Sequence, residues 1–209
     1  MSEETEHDHG EHDHAGHEHD YEGHDHEGHD HEGHDHDHAL IVDRLPEGAW
    51  QIDPASSEVL FKARALFGLL PVTGAFERFT GEMIVDPEGA ASGRLVVETA
   101  SINSGIRKRD ADLRSASYFD SDKYPEMTFT LEKLEPSGED HLNVTGTLLI
   151  LHTSIPVTFP AYAIAHGDHL HLEGGVTVDH DVAGLGWAKP ALVGKRVRAE
   201  AALTLTRVI

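Results

Sequence analysis

Thirteen of the chain's 19 histidines fall in its first 38 residues: His7, His9, His12, His14, His17, His19, His24, His26, His29, His31, His34, His36 and His38. Within them the run GHDHEGHDHEGHDHDH repeats a Gly-His-Asp-His-Glu pentad from Gly23 and from Gly28, then closes from Gly33 to His38. Imidazole is the commonest side-chain ligand for zinc, copper and nickel, and it is largely neutral near pH 7. Interleaved carboxylates add oxygen ligands and attract cations at long range. His-x-His pairs on a flexible chain can fold round an ion without a preformed site. At about four ligands per zinc, these histidines would hold about three ions. The expected chemistry is coordination of divalent metal ions, zinc or nickel first. A solubilising low-complexity tail is the other meaning of the same composition.

The same segment carries 15 Asp and Glu and no Lys or Arg, and so −15 of the chain's formal charge of −22. A stretch this charged and this poor in apolar side chains cannot bury enough surface to offset the entropy of ordering it. Residues 1–40 are therefore expected to be a disordered tail, and residues 41–209 the folded domain.

Outside the tail the chemistry thins out. Arg107, Lys108, Arg109 and Arg114 could meet an anionic head group. Asp110 and Asp112 interleave with them, so a solvated helix face laced with ion pairs is the commoner meaning. His169 and His171 share one face of an expected strand, but two histidines without a third fixed ligand make a poor zinc site. None of G-x-S-x-G, H-E-x-x-H or G-x-G-x-x-G occurs. Nothing argues for an enzyme, and no catalytic cofactor is expected.

Composition excludes more. The acidic balance argues against nucleic acid, whose phosphates need clustered Lys and Arg. With no cysteine, disulfides and thiol chemistry are out. The chain opens MSEETEHDH and stays polar to Ala39, unlike a secretory signal. No later stretch approaches the ~20 apolar residues that span a bilayer. A cytoplasmic location is expected; a homodimer is left open.

The elements that must position any site are strands. Val59, Phe61 and Ala63 alternate with Leu60, Lys62 and Arg64, and PEMTFTLEK sets Met127, Phe129 and Leu131 against Glu126, Thr128, Thr130 and Glu132. Val157 with Phe159, and Val197 with Leu203 and Leu205, repeat the pattern. Such alternation marks half-buried antiparallel strands. Turn signals separate them at 86–93, 135–140 and 166–168. The count is roughly eight strands, hence a barrel or sandwich. Residues 106–119 lack the alternation and read as a short helix in a long connection. Residues 182–195 are Gly- and Pro-punctuated, and long connections of this kind often form lids.

Four fragments taken together resemble the YceI-like family of lipid-binding proteins in order and spacing. They are WQIDPASSEVLF, GAFERFTGEM, SINSGIRKRDADLRSASYFDSDKYPEMTF and VTGTLLILHTSIPV, between residues 50 and 157, and the resemblance as a whole covers about residues 49–207. The most specific piece runs from Arg109 to Phe129. The resemblance implies an all-β, extended, lipocalin-like antiparallel barrel with helices in its connections. It also implies binding of an isoprenoid or other long-chain lipid, without known catalysis. Two positions depart from the family's pattern: its usual His-Ser pair is Ser56-Ser57 here, and its Arg-Asp-x-His-Leu segment reads RDADL at 109–113, without the His. On this reading Val59, Phe61, Met83, Val97, Met127, Phe129, Leu148 and Phe159 are expected to line a cavity. Arg107 and Arg109 are candidates for its head group, and Leu66 and Phe67 in ALFGLLPV for a gate. The bland alternatives are a packed core and a buried bend, since eight strands can close over side chains or over a ligand.

Overall fold

The computed structural model describes residues 40–41, 45–65, 69–138, 140–179 and 193–208. The thirteen tail histidines, Leu66, Phe67 and most of the 182–195 connection lie outside the described residues. Along the chain run β1 (Leu40–Ile41), β2 (Gly48–Ile52), β3 (Glu58–Ala65), β4 (Leu70–Phe76), β5 (Phe79–Val85) and β6 (Ala91–Glu98). They are followed by β7 (Ile102–Asn103), α1 (Arg107–Arg114), β8 (Glu126–Pro136), β9 (His141–Ile150), β10 (Thr153–His166), β11 (His169–Asp179) and β12 (Val193–Val208).

The strands close into one antiparallel ring. Its order is β2, β5, β6, β8, β9, β10, β11 and β12, with β12 returning to β2 through Leu205↔Ile52 and Val208↔Ala49. Above that junction β12 pairs with β3 instead, through Ala202↔Glu58 to Val193↔Ala65. In turn β3 pairs with β4, and β4 with β7. Thus β2 with β3, β4 with β5, and β6 with β7 are three wall strands, each broken at the same level. The result is the eight-stranded barrel that the resemblance implies, one of the two forms the alternation leaves open, and the period-two pattern gives every strand one apolar face to turn inward.

Hydroxyls hold the breaks. The Ser57 hydroxyl donates to the Asp53 carbonyl (2.7 Å) and accepts from the Thr204 N–H (2.9 Å). The Thr204 hydroxyl donates to the Ser56 carbonyl (2.9 Å). At the next corner the buried Thr99 and Ser101 hydroxyls donate to the Tyr124 and Glu98 carbonyls, at 2.8 and 2.7 Å. Each bend costs ladder bonds, and these side chains replace them.

The expected helix is α1, two turns long. Its buried Asp110 carboxylate accepts from the Ser104 N–H (2.9 Å) and from the Ser104 hydroxyl, which fixes the helix to the chain entering it. At the opposite end of the barrel, Trp50, Val85, Ala163, Ala165 and Leu170 are almost fully buried and pack that end solid. Among the described residues no helix is long and apolar enough to cross a membrane.

Candidate functional site

Above the packed end the barrel is not filled. A cavity of about 210 Å³ remains, bordered by every wall strand from β2/β3 round to β12. Seven of the eight residues expected to line a cavity lie on it: Val59, Met83, Val97, Met127, Phe129, Leu148 and Phe159. Phe61 does not. It is buried beside the cavity, with its ring over Gly74 and 5.8 Å from that of Phe76.

Leu95, Leu131, Leu134, Leu142, Val144, Ile150, Leu172, Val176 and Leu203 also form the wall. Most follow from the same alternation. Leu134 does not, because the register shifts between Leu131 and Lys133, and that irregularity moves the inward phase of β8 by one residue. Met127, Phe129, Leu131, Leu148, Phe159, Leu172 and Leu203 all point inward yet are only half-buried. A packed interior would have covered them; the surface they keep is surface on the cavity.

The wall is apolar for a geometric reason. Glu82, Arg94, Glu173 and Glu200 border the cavity, but each follows or precedes an inward residue, so its side chain lies on the outer face. Glu200 shows this directly. On the outside it meets Lys62 Nζ at 2.5 Å and Arg198 Nε at 2.7 Å, and these two cations hold its carboxyl below the usual carboxylate range. Among the described residues its wall is hydrocarbon, and the cavity can therefore remove hydrocarbon from water.

The basic residues are placed elsewhere. Arg109 on α1 donates through Nε to the Ser104 hydroxyl (2.7 Å) and through Nη2 to the Ser104 carbonyl (2.7 Å). Arg114 donates to the Ile102 carbonyl (2.7 Å). Both side chains are committed to the connection that carries them. Arg107 is exposed. His169 and His171 lie on the outer face of β11, with His171 Nδ1 3.3 Å from the Thr204 hydroxyl. Among the described residues no three His, Asp or Glu gather into a metal site.

In the Ser56-Ser57 pair the departure from His-Ser falls on Ser56, which is exposed and whose carbonyl accepts from the Thr204 hydroxyl. Ser57 stands where a strut between β2, β3 and β12 is needed, and its hydroxyl is used there. At the place of the His in Arg-Asp-x-His-Leu stands Asp112 rather than Ala111, and it is exposed on α1.

Comparison with known proteins agrees with this architecture. The crystal structure of Burkholderia cenocepacia BcnA superposes with a TM-score of 0.67 at 25% identity, covering 73% of this chain and 98% of that one. A polyisoprenoid binding domain from Saccharophagus degradans, implicated in plant cell wall breakdown, shares the fold at a TM-score of 0.64 and 16% identity, over 76% and 98% of the two chains. In sequence, a UPF0312 protein of Vibrio parahaemolyticus is 32% identical over 132 residues, 59% of this chain and 69% of that protein. Protein YceI of Escherichia coli is 34% identical over 97 residues, which are 46% of this chain and only 50% of its own length. The model of the YceI-like domain matches residues 50–205, from the first buried tryptophan to the last inward leucine, and the chain belongs to that family.

Proposed function

We propose that the barrel binds an isoprenoid-like or other long-chain lipid by its hydrocarbon part, and carries or sequesters it without chemical change. The observation that carries this reading is the set of inward, half-buried leucines and phenylalanines round an apolar cavity. Covering such surface with hydrocarbon is favourable by roughly 25 cal/mol per Å² and needs no reactive side chain. The likeness to a polyisoprenoid binding domain supports the same class of ligand. Native mass spectrometry of protein purified from its own host tests it, because a co-purifying lipid mass is expected.

A variant makes the test independent of the host. Met83 is 3% exposed and sits on the cavity wall. Met83→Trp should occupy the space, lower lipid affinity about tenfold and cost no more than about 1–3 kcal/mol of stability. Undiminished affinity in a folded Met83→Trp protein would remove the cavity as the site.

The His-rich run is proposed as a separate, metal-binding appendage; its support is composition alone. Deleting residues 1–38 should abolish most zinc or nickel binding in calorimetry and leave the melting temperature of the barrel unchanged. In the intact chain, binding should weaken below about pH 6.5 as the imidazoles take up protons. Retained zinc affinity in the truncated protein would contradict this assignment.

A further inference from the structure

The ring is not laddered all the way round. β10 pairs with β9 from Thr153 to Tyr162, but with β11 only from Ala161 to His166. β11 nevertheless continues as a strand to Asp179, paired with β12 throughout. Extending the β10–β11 register would set Gly175 against Pro160, Thr177 against Thr158 and Asp179 against Pro156. None of these pairs forms, so two strands that pair at Ala161 and Gly174 run without a ladder above that point.

Two prolines account for the missing ladder. In an antiparallel ladder a residue directs its N–H and C=O to the same neighbour, and consecutive residues alternate. The Ala163 N–H bonds the Asp140 carbonyl (2.9 Å), on the β9 side. Odd-numbered residues of β10 therefore face β9, and even-numbered ones face β11. Pro156 and Pro160 are both even. Each stands where a donor to β11 is required and has none, which makes this stretch of β10 an edge inside a closed barrel.

The seam leads into the cavity, since Phe159 on one lip and Gly175 and Val176 on the other are cavity wall. Above them Ile155, Val176 and Val178 join an apolar cluster at the mouth. Volume makes the opening matter. A dry apolar cavity of about 150 Å³ holds one benzene, so about 210 Å³ holds roughly eight carbon atoms. A long chain does not fit inside whole.

We propose that the β10–β11 seam is a lateral port and the outer half of the binding site. The ligand is a single-chain amphiphile: its hydrocarbon end lies in the cavity, and the rest, with the polar head, leaves between Pro160 and Gly175. This rests on the cavity being a lipid site, as argued above.

The absence of cysteine allows a direct test in the full-length chain. Thr158 and Thr177 are exposed on opposite lips. Thr158→Cys with Thr177→Cys, joined by a short bismaleimide, bolts the seam. Thr130→Cys with Thr147→Cys, joined the same way across a ladder that is already complete, is the control. The probe is cis-parinaric acid, a fluorescent long-chain acid, followed by stopped flow. Bolting the seam should slow entry and release by about tenfold or more, against less than about twofold in the control. Normal binding with rates equal to the control would overturn the port alone. Failure of the uncross-linked protein to bind the probe would instead sink the cavity reading, and the port with it.

Discussion

Phe129→Asp should abolish lipid binding and lower stability by about 4 kcal/mol, or roughly 12 °C in melting temperature. Phe129 sits on the cavity wall with its ring 5.8 Å from that of Phe159, and it packs over Gly146 on the next strand. Removing the ring forfeits those contacts and enlarges the void. The introduced carboxylate faces an apolar wall, and an unpaired charge there carries a large desolvation cost. That burial raises the pKa of the new group above its unfolded value. The folded state then holds a proton that the unfolded state has lost, so stability falls as pH rises above the ordinary carboxylate range. The defect should be larger at pH 7 than at pH 4. Phe129→Leu separates the two causes, since it opens space without charge: it should keep probe binding and cost about 1–2 kcal/mol. Urea denaturation at the two pH values, with cis-parinaric acid titrations, reads both. Equal stability of Phe129→Asp and the unaltered protein at pH 7 would mean that position 129 is open to bulk water, and the cavity model would fail.

Much of this arrangement was legible in the chain because strand periodicity is a geometric constraint. Once Met127 faces inward, Phe129 and Leu131 must as well. What periodicity does not report is which inward residues touch empty space. Phe61 belongs to the right face, but Gly74 opposite it leaves a hollow that its ring fills, so it became core rather than cavity wall. Leu134 escaped for the converse reason, a register shift that alternation cannot carry across. Charge clusters are less legible still. Arg109 has the composition of a head-group ligand, yet Ser104 lies within reach of two of its nitrogens and takes them. Pro156 and Pro160 were visible in the sequence, but their effect depends on which neighbour the even-numbered residues face. That is decided by the pairing of β10 with β9, through contacts that no local pattern encodes.

Glycines on the inner face set the shape of the cavity, and they should not tolerate change equally. Gly146 and Gly174 both lie beneath a phenylalanine of the adjacent strand, Phe129 and Phe159 respectively. A Cβ at Gly146 would collide with the Thr130 carbonyl oxygen and stand 2.7 Å from the Phe129 ring. That carbonyl belongs to the β8–β9 ladder, where Thr130 pairs with Thr147, and it cannot retreat without breaking wall bonds. Gly146→Ala should therefore cost about 2–3 kcal/mol, an overpacking penalty borne by backbone. At Gly174 the nearest atoms would be the Ala161 Cβ and the Phe159 ring edge, both at 3.1 Å, and both are side chain. The Phe159 ring borders the cavity, so it has somewhere to go. Its displacement costs little, and the loss of unfolded-state freedom that alanine brings, worth about 0.4–1 kcal/mol, offsets it. Gly174→Ala should thus stay within about 0.5 kcal/mol of the unaltered protein while shrinking the cavity at the foot of the seam. Paired urea titrations give the two stabilities, and probe affinity reports the lost volume. If Gly174→Ala were the more damaging of the two, Phe159 would have no free space beside it, and the cavity would not reach the β10–β11 seam.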